Sequence, residues 1–148
     1  MRLTQRTEYA VRALLELARR QGDGPTSARE IASAQKIPVR FLEQVLQELK
    51  RAGLVDSQRG ASGGAWLARE PDKISLSEVV DVVEGALVTR ARTDPFDENV
   101  RDQAHSAVQE LWLNLQITIR ERLSQVTLAD LVRRQDELDR TSYLVFQI

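Results

Sequence analysis

Four side chains close together in this sequence could make directional contacts to a polyanion: Arg40, Glu43, Gln44 and, further on, Arg59. The first three stand at i, i+3 and i+4, the spacing that brings side chains onto one face of a helix, and Gln47 and Arg51 extend the row. A guanidinium suits guanine or a phosphate, a carboxamide suits adenine, and a carboxylate can accept from cytosine. Arg59 opens the run "RGASGGAWLARE", in which Gly60, Gly63 and Gly64 surround Ser62. Glycines at that density mark a sharp turn or a close backbone approach. The run is therefore either a phosphate cradle or a tight hairpin that touches a partner.

Its context decides between them. A phosphate loop needs a strand before it and a helix after it, with the helix N-terminus facing the anion. Here "AWLAREP" follows, strand-like and soon stopped by Pro71, with no Lys-Ser or Lys-Thr pair after the glycines. No acidic residue stands at dinucleotide-fold spacing in a strand–helix–strand unit. What remains is a two-stranded hairpin, a wing. By itself such a hairpin is more often a surface turn that contacts nothing; beside a helix with a continuous polar face, DNA contact becomes the better reading.

Composition narrows the chemistry further. The 148 residues contain no cysteine and one histidine, His105. Disulfides, zinc–thiolate sites and thiolate nucleophiles are thereby removed, and a catalytic triad has almost nothing to be built from. The chain is expected not to be an enzyme and to need no cofactor. Its net charge of −1 divides into +4 over residues 1–74 and −5 over residues 75–148, a basic front half suited to a polyanion. No apolar run approaches the ~18 residues of a membrane span. The N-terminal stretch carries glutamates among its leucines and lacks the small-residue cleavage site of a signal peptide, so a cytoplasmic location is expected.

The elements that must position these residues can be read from periodicity. Thr4 to Arg20 carries Tyr9, Ala10, Ala13, Leu14 and Leu17 at helical spacing. After "QGDGP", Ser27 and Glu30 form a capping box that opens a second helix ending near Ala34 or Gln35. A third helix starts around Pro38, with Phe41, Leu42, Val45, Leu46 and Leu49 as its buried stripe and Gly53 at its left-handed C-terminal position. The strands "LVDSQ" and "AWLAR" flank the glycine loop, and Ser75 with Glu78 caps a fourth helix that stops at Gly85. The fold expected is mainly α with a small two-stranded β wing: a winged helix-turn-helix over residues 1–85. Residues 86–99 read as a linker or sensor-like loop, and 100–148 as a long dimerisation helix followed by a C-terminal helix and tail. From Val100 the apolar stripe includes Val108, Leu111, Leu115, Ile119 and Leu123, a helix longer than one small domain can cover. Burial against a second copy is expected. "SYLVFQI" reads as a short apolar tail that packs on something.

The stretches "MRLTQRTEYAVRALLELA", "REIASAQKIPVRFLEQVLQELKRAGLVDSQRGASGGAWLAR" and, more loosely, "ISLSEVVDVVEG" resemble the Rrf-two (Rrf2) family of bacterial winged helix-turn-helix regulators, which includes iron–sulfur cluster regulators and cysteine-metabolism repressors. The resemblance implies a homodimer on a pseudo-palindromic operator, with third helices in successive major grooves and wings in the flanking minor grooves. It places Arg40, Glu43 and Gln44 at base edges or phosphates, and Arg59, Gly60, Ser62 and Gly63 at the narrow groove. Thr4, at the start of the first helix, is a candidate phosphate anchor. Several members carry three cysteines after the fourth helix that bind an iron–sulfur cluster; this chain has "ALVTRARTDPFDENVRDQAHSAV" there and no thiolate to offer. His105 lies near Asp94, Asp97, Glu98 and Asp102, but their spacing defines no ligand set, and a solvated acidic linker is the better reading, so no metal is expected.

Two functions follow from different classes. The first is a dimeric, sequence-specific DNA-binding transcription regulator, acting as a repressor, with a small molecule or a protein as the open choices of effector. The second is a winged-helix module that binds a protein and has no specific affinity for DNA.

Overall fold

The computed structural model describes residues 4–85 and 107–146. Helix α1 (Gln5–Arg19) begins where the Thr4 hydroxyl accepts from the Thr7 N–H. Helix α2 (Ala28–Gln35) begins at the expected capping box: Ser27 Oγ accepts from the Glu30 N–H, and the Glu30 carboxylate accepts from the Ser27 N–H at 2.8 Å. Lys36, in the left-handed region at φ +52°, turns the chain within a few residues into α3 (Val39–Arg51). Strands β1 (Val55–Gln58) and β2 (Gly64–Leu67) pair antiparallel with Asp56 opposite Trp66 and Gln58 opposite Gly64. A 3-10 turn at Pro71–Lys73 leads to α4 (Leu76–Glu84), opened by the second capping box, Ser75 with Glu78. Two further helices follow, α5 (Ala107–Ser124) and α6 (Leu128–Phe146).

Helix α1 is the central pillar, in contact with α2, α3, α4, α6 and β2. Its small residues Ala10 and Ala13 are wholly buried, which lets the neighbouring helices come close, and Leu14 fills the space between them. Ile31, Leu42, Val45, Leu49, Leu54, Ile74 and Val79 complete one core. Each contributes about 1.5–3 kcal/mol by leaving water. Leu128, at the start of α6, lies in the same core with no exposed surface, and Leu131 and Val132 pack against it. A bridge between Ser75 and Thr127, with Leu128 N–H donating to the Ile74 carbonyl at 3.0 Å, ties that junction to the head.

The chain departs from the sequence reading in two places. The stretch beginning at Ser142 is no separate tail: through Phe146 it continues α6. Thr141 and Ser142, weak helix formers by propensity, donate their hydroxyls back to the Glu137 and Leu138 carbonyls at 2.9 and 3.0 Å and stay within the helix. Tyr143, expected to pack with that tail, is 75% exposed. The three wing glycines also divide their roles. Only Gly60 has a positive φ, +116°, whereas a Cβ on Gly63 would stand 2.5 Å from the Gln58 carbonyl oxygen and one on Gly64 2.5 Å from Thr26 backbone. The linker 86–99, His105 with its acidic neighbours, and the expected helix start at Val100 lie outside the described residues.

Candidate nucleic-acid interface

Helix α3 is set by its inward face. Leu42, Val45 and Leu49 have no exposed surface, which fixes its rotation and turns Arg40, Glu43, Gln44 and Gln47 to solvent. Phe41 meets Tyr9 edge-on at 5.3 Å, and Glu48 is paired with Arg6 of α1. At the other end Lys50 donates to the Ser57 hydroxyl at 2.8 Å and its carbonyl at 3.2 Å, joining α3 to the wing. Gly53, φ +73°, makes the turn between them. The helix is thus held at both ends while its outward row is left free.

The wing is braced on its other side. Thr26 and Ala65 exchange main-chain hydrogen bonds of 2.9 and 2.8 Å, adding a one-residue third strand to the sheet. At the tip, Gln58 donates to the Ser62 carbonyl at 3.4 Å and Gly63 to the Gly60 carbonyl at 3.0 Å. Between α3 and the wing lies a cleft of about 300 Å³ lined by Glu43, Gln47, Lys50, Ser57 and Gln58. The sequence-derived residues Arg40, Glu43 and Gln44 stand along one side of this region, and Arg59, Gly60, Ser62 and Gly63 form the wing tip beyond Gln58.

Several exposed side chains of this region are left unpaired. Arg40 and Arg59 make no ion pair or hydrogen bond with another described residue, and neither do the side chains of Glu43 and Gln44. Arg29 and Lys36, in α2 and the turn after it, are two further exposed cations without a described partner. Sequence reading passed over both; two basic residues just ahead of a polar helix face were the available signal. Elsewhere Arg19 pairs with Asp139 at 3.0 Å, Arg20 with Glu16 at 2.6 Å, Arg69 with Glu78 and Arg120 with Asp81 at 2.8 Å. Unneutralised cations beside an amide-bearing helix face are what phosphate and base-edge contacts require.

Thr4 has a second engagement. Its hydroxyl and that of Thr7 both donate to the Glu84 carboxylate at the end of α4. These hydroxyls hold the Glu84 carboxyl below the usual range, against the opposing effect of burial. Glu16 is a comparable case: burial works against its charge, but hydrogen bonds from Gln35 and Arg20 outweigh it and lower its pKa.

Helix α5 differs in kind from α3, for none of its residues is buried. Of the expected dimerisation residues, Val108, Leu111 and Leu115 are exposed, while Ile119 and Leu123 are half-buried. Trp112, Leu113 and Ile117, outside that set, are exposed as well. The helix leans on α4, with Arg120 on Asp81. Among the described residues no helix is long and apolar enough to cross a membrane, and no cluster of His, Asp or Glu could hold a metal.

Comparison with known proteins agrees with this architecture. A family model described as Rrf2, an iron-dependent transcriptional regulator, matches residues 3–134. The chain is 35% identical to the HTH-type transcriptional regulator CymR of Bacillus subtilis over 136 residues, covering 92% of this chain and 93% of that one. It is 41% identical to a putative HTH-type regulator, ORF2, of Azotobacter vinelandii over 140 residues, 94% of this chain and 84% of the relative. The solved structure of IscR from T. potens superposes with a TM-score of 0.76 at 33% identity, covering 93% and 90% of the two chains. The iron in the family's description has no thiolate ligands to meet here, since the chain has no cysteine. With a helix-turn-helix head, a glycine-tipped wing and a match over most of its length, the chain belongs to the Rrf2 family of transcriptional regulators, whose members are not enzymes.

Proposed function

We propose that this DNA-binding regulator works as a homodimer on a pseudo-palindromic operator, acting as a repressor without a thiolate-held iron–sulfur cluster. In this reading α3 enters the major groove, with Arg40 and Gln44 at base edges or adjacent phosphates and Glu43 accepting from a cytosine amine. The wing follows the neighbouring minor groove with Arg59 as its cation and Gly60, Ser62 and Gly63 keeping the tip slim. Thr4 contributes a phosphate contact at the start of α1, in exchange with Glu84. Helix α5 joins two copies through Val108, Leu111 and Leu115, with Ile119 and Leu123 completing the stripe. The head over residues 1–85 reads DNA, 86–99 connects it, and 100–148 sets the distance between two heads.

The observation that carries this reading is the exposed row Arg40, Glu43 and Gln44, left without partners by a helix that is otherwise locked in place. The test is selection of bound sites from random duplex DNA, followed by binding to the selected site across a salt series. An inverted repeat with half-site centres about 34–36 Å apart, or a multiple of that, is expected. Its affinity is expected to fall steeply with salt. Recovery of no preferred sequence would overturn the proposal in favour of a protein-binding winged helix.

A further inference from the structure

A second cavity lies on the opposite flank of the wing, bounded by the end of α1, the turn around Gly22 to Thr26 and the outer edge of β2. Its volume is about 510 Å³, inside the range of roughly 300–1,000 Å³ that small-molecule sites occupy. Leu17, Pro25 and Leu67 give it apolar walls, and the Trp66 indole, 36% exposed, supplies a flat one.

The cavity also holds an open donor–acceptor pair. Ala65 directs its N–H and C=O away from β1, to Thr26, while Ala68 donates to Leu54 on the opposite side. Because alternate residues of a strand aim these groups to the same side, Leu67 points both toward the Thr26 edge. Pairing stops at Thr26, and no main-chain hydrogen bond from another described residue reaches the Leu67 N–H or C=O there. Carboxylates outnumber cations at the rim. Arg20 sits 2.6 Å from Glu16 and 3.9 Å from Glu30, and Gln21 donates to Glu70 at 2.8 Å. The only cation lining the cavity is already engaged by carboxylates, so the rim offers nothing to hold an anionic ligand.

We propose that this cavity is the site for a small, uncharged, flat ring with an N–H beside a C=O, a lactam edge that pairs with the Leu67 main chain while the ring stacks on Trp66. Gln58 and Ala65 line both this cavity and the cleft between α3 and the wing. An occupant therefore bears on the wing from behind and alters its approach to DNA. That consequence rests on the DNA-binding reading above; the binding itself does not.

The probe is 2-quinolone, with N-methyl-2-quinolone as the same ring without its donor, each titrated into the nitrogen-15-labelled full chain in the absence of DNA. The Leu67 amide resonance is expected to move, with half-saturation about tenfold lower for 2-quinolone than for its N-methyl form, the ratio one missing hydrogen bond gives. Trp66→Ala, measured well below its own thermal melt, is expected to weaken 2-quinolone by a similar factor while the remaining amide resonances keep their dispersion. Equal half-saturation for the two rings, or a Leu67 resonance that does not move, would overturn the site. If an acetylated Val-Thr-Val-Thr amide moves Leu67 and 2-quinolone does not, the small-ring assignment fails in favour of strand addition. With the cavity saturated, affinity for the selected operator is expected to change by at least about fivefold. An unchanged affinity with Leu67 shifted would overturn the regulatory consequence alone.

Discussion

Helices α3 and α5 share one design, an apolar stripe on a polar helix, and end in opposite situations. The stripe of α3 is absorbed by its own chain: Leu42, Val45 and Leu49 vanish into the core, Phe41 and Leu46 pack against it, and past Val39 the outward side chains are polar. The stripe of α5 is left largely uncovered, with Val108 61% and Trp112 59% exposed and only Ile119 and Leu123 half-buried. A helix whose hydrophobic demand is met internally can dedicate its outer face to recognition of a polar partner. One whose demand is unmet needs an apolar partner, and a second copy of itself satisfies that without any new sequence. On the proposed function, the contrast separates the surface that reads DNA from the one that assembles two copies.

Four experiments bear on the contrast, from the largest effect to the smallest. Leu49→Ala should lower stability by about 2–5 kcal/mol in chemical denaturation, independently of protein concentration. A reduction below about 1 kcal/mol would mean that α3 is not anchored as described. Leu111→Asp combined with Leu115→Asp should leave the head folded yet weaken self-association by on the order of 3 kcal/mol, since each carboxylate would be buried at the interface. Sedimentation equilibrium reads this directly, and an unchanged mass would remove α5 from the interface. On the reading face, Gln44→Ala should cost about 1–3 kcal/mol at one base position per half-site and little elsewhere. Arg59→Ala should make the salt dependence shallower, by about 0.9 in log–log slope for every phosphate that the guanidinium neutralises. Uniform weakening across sequences would turn Gln44 into a positioning residue, and an unchanged slope would take Arg59 off the backbone.

The smallest effect concerns Glu84, which belongs to neither surface but ties α4 to the start of α1. Its folded-state pKa lies below the ordinary 4.5 because the Thr4 and Thr7 hydroxyls favour the carboxylate. Its contribution is therefore complete above pH 4.5 and disappears as pH falls through the lowered folded value. Glu84→Gln should be less stable than the parent at neutral pH by about 1 kcal/mol or less, and the gap should close in acid. A gap that persists unchanged at low pH would show that the carboxylate charge is not what holds the tie.

Local signals are legible in the sequence because their physics is local. The Ser27–Glu30 and Ser75–Glu78 boxes, Gly53 and the stripe of α3 each need only neighbours within a turn or two. What escapes depends on distant chain. Leu128 enters a core made by residues far earlier, and Thr26 meets Ala65 across a stretch that holds α2, α3 and β1. Gly63 and Gly64 look like Gly60 in the sequence, but the close approaches that require them come from backbone the sequence cannot place beforehand. The site residues are legible as a polar row; that they stay unpaired is not, because pairing depends on which acids arrive nearby. The end of α6 escapes for a different reason. A Thr-Ser pair ahead of an apolar run weighs against helix by propensity, yet back-bonded hydroxyls let the helix continue.

The paired hydrogen bonds between Thr26 and Ala65 close a ring that contains α2, α3 and the wing tip. That clasp is made by main-chain atoms alone, so no side-chain substitution on the outer face of α3 loosens it. Positions 40, 43, 44 and 47 can therefore vary while the frame that presents them stays the same. If α3 reads DNA as proposed, a lineage built on this frame can be re-addressed to a new operator by a few outward-facing changes, without first having to rebuild the protein that carries them.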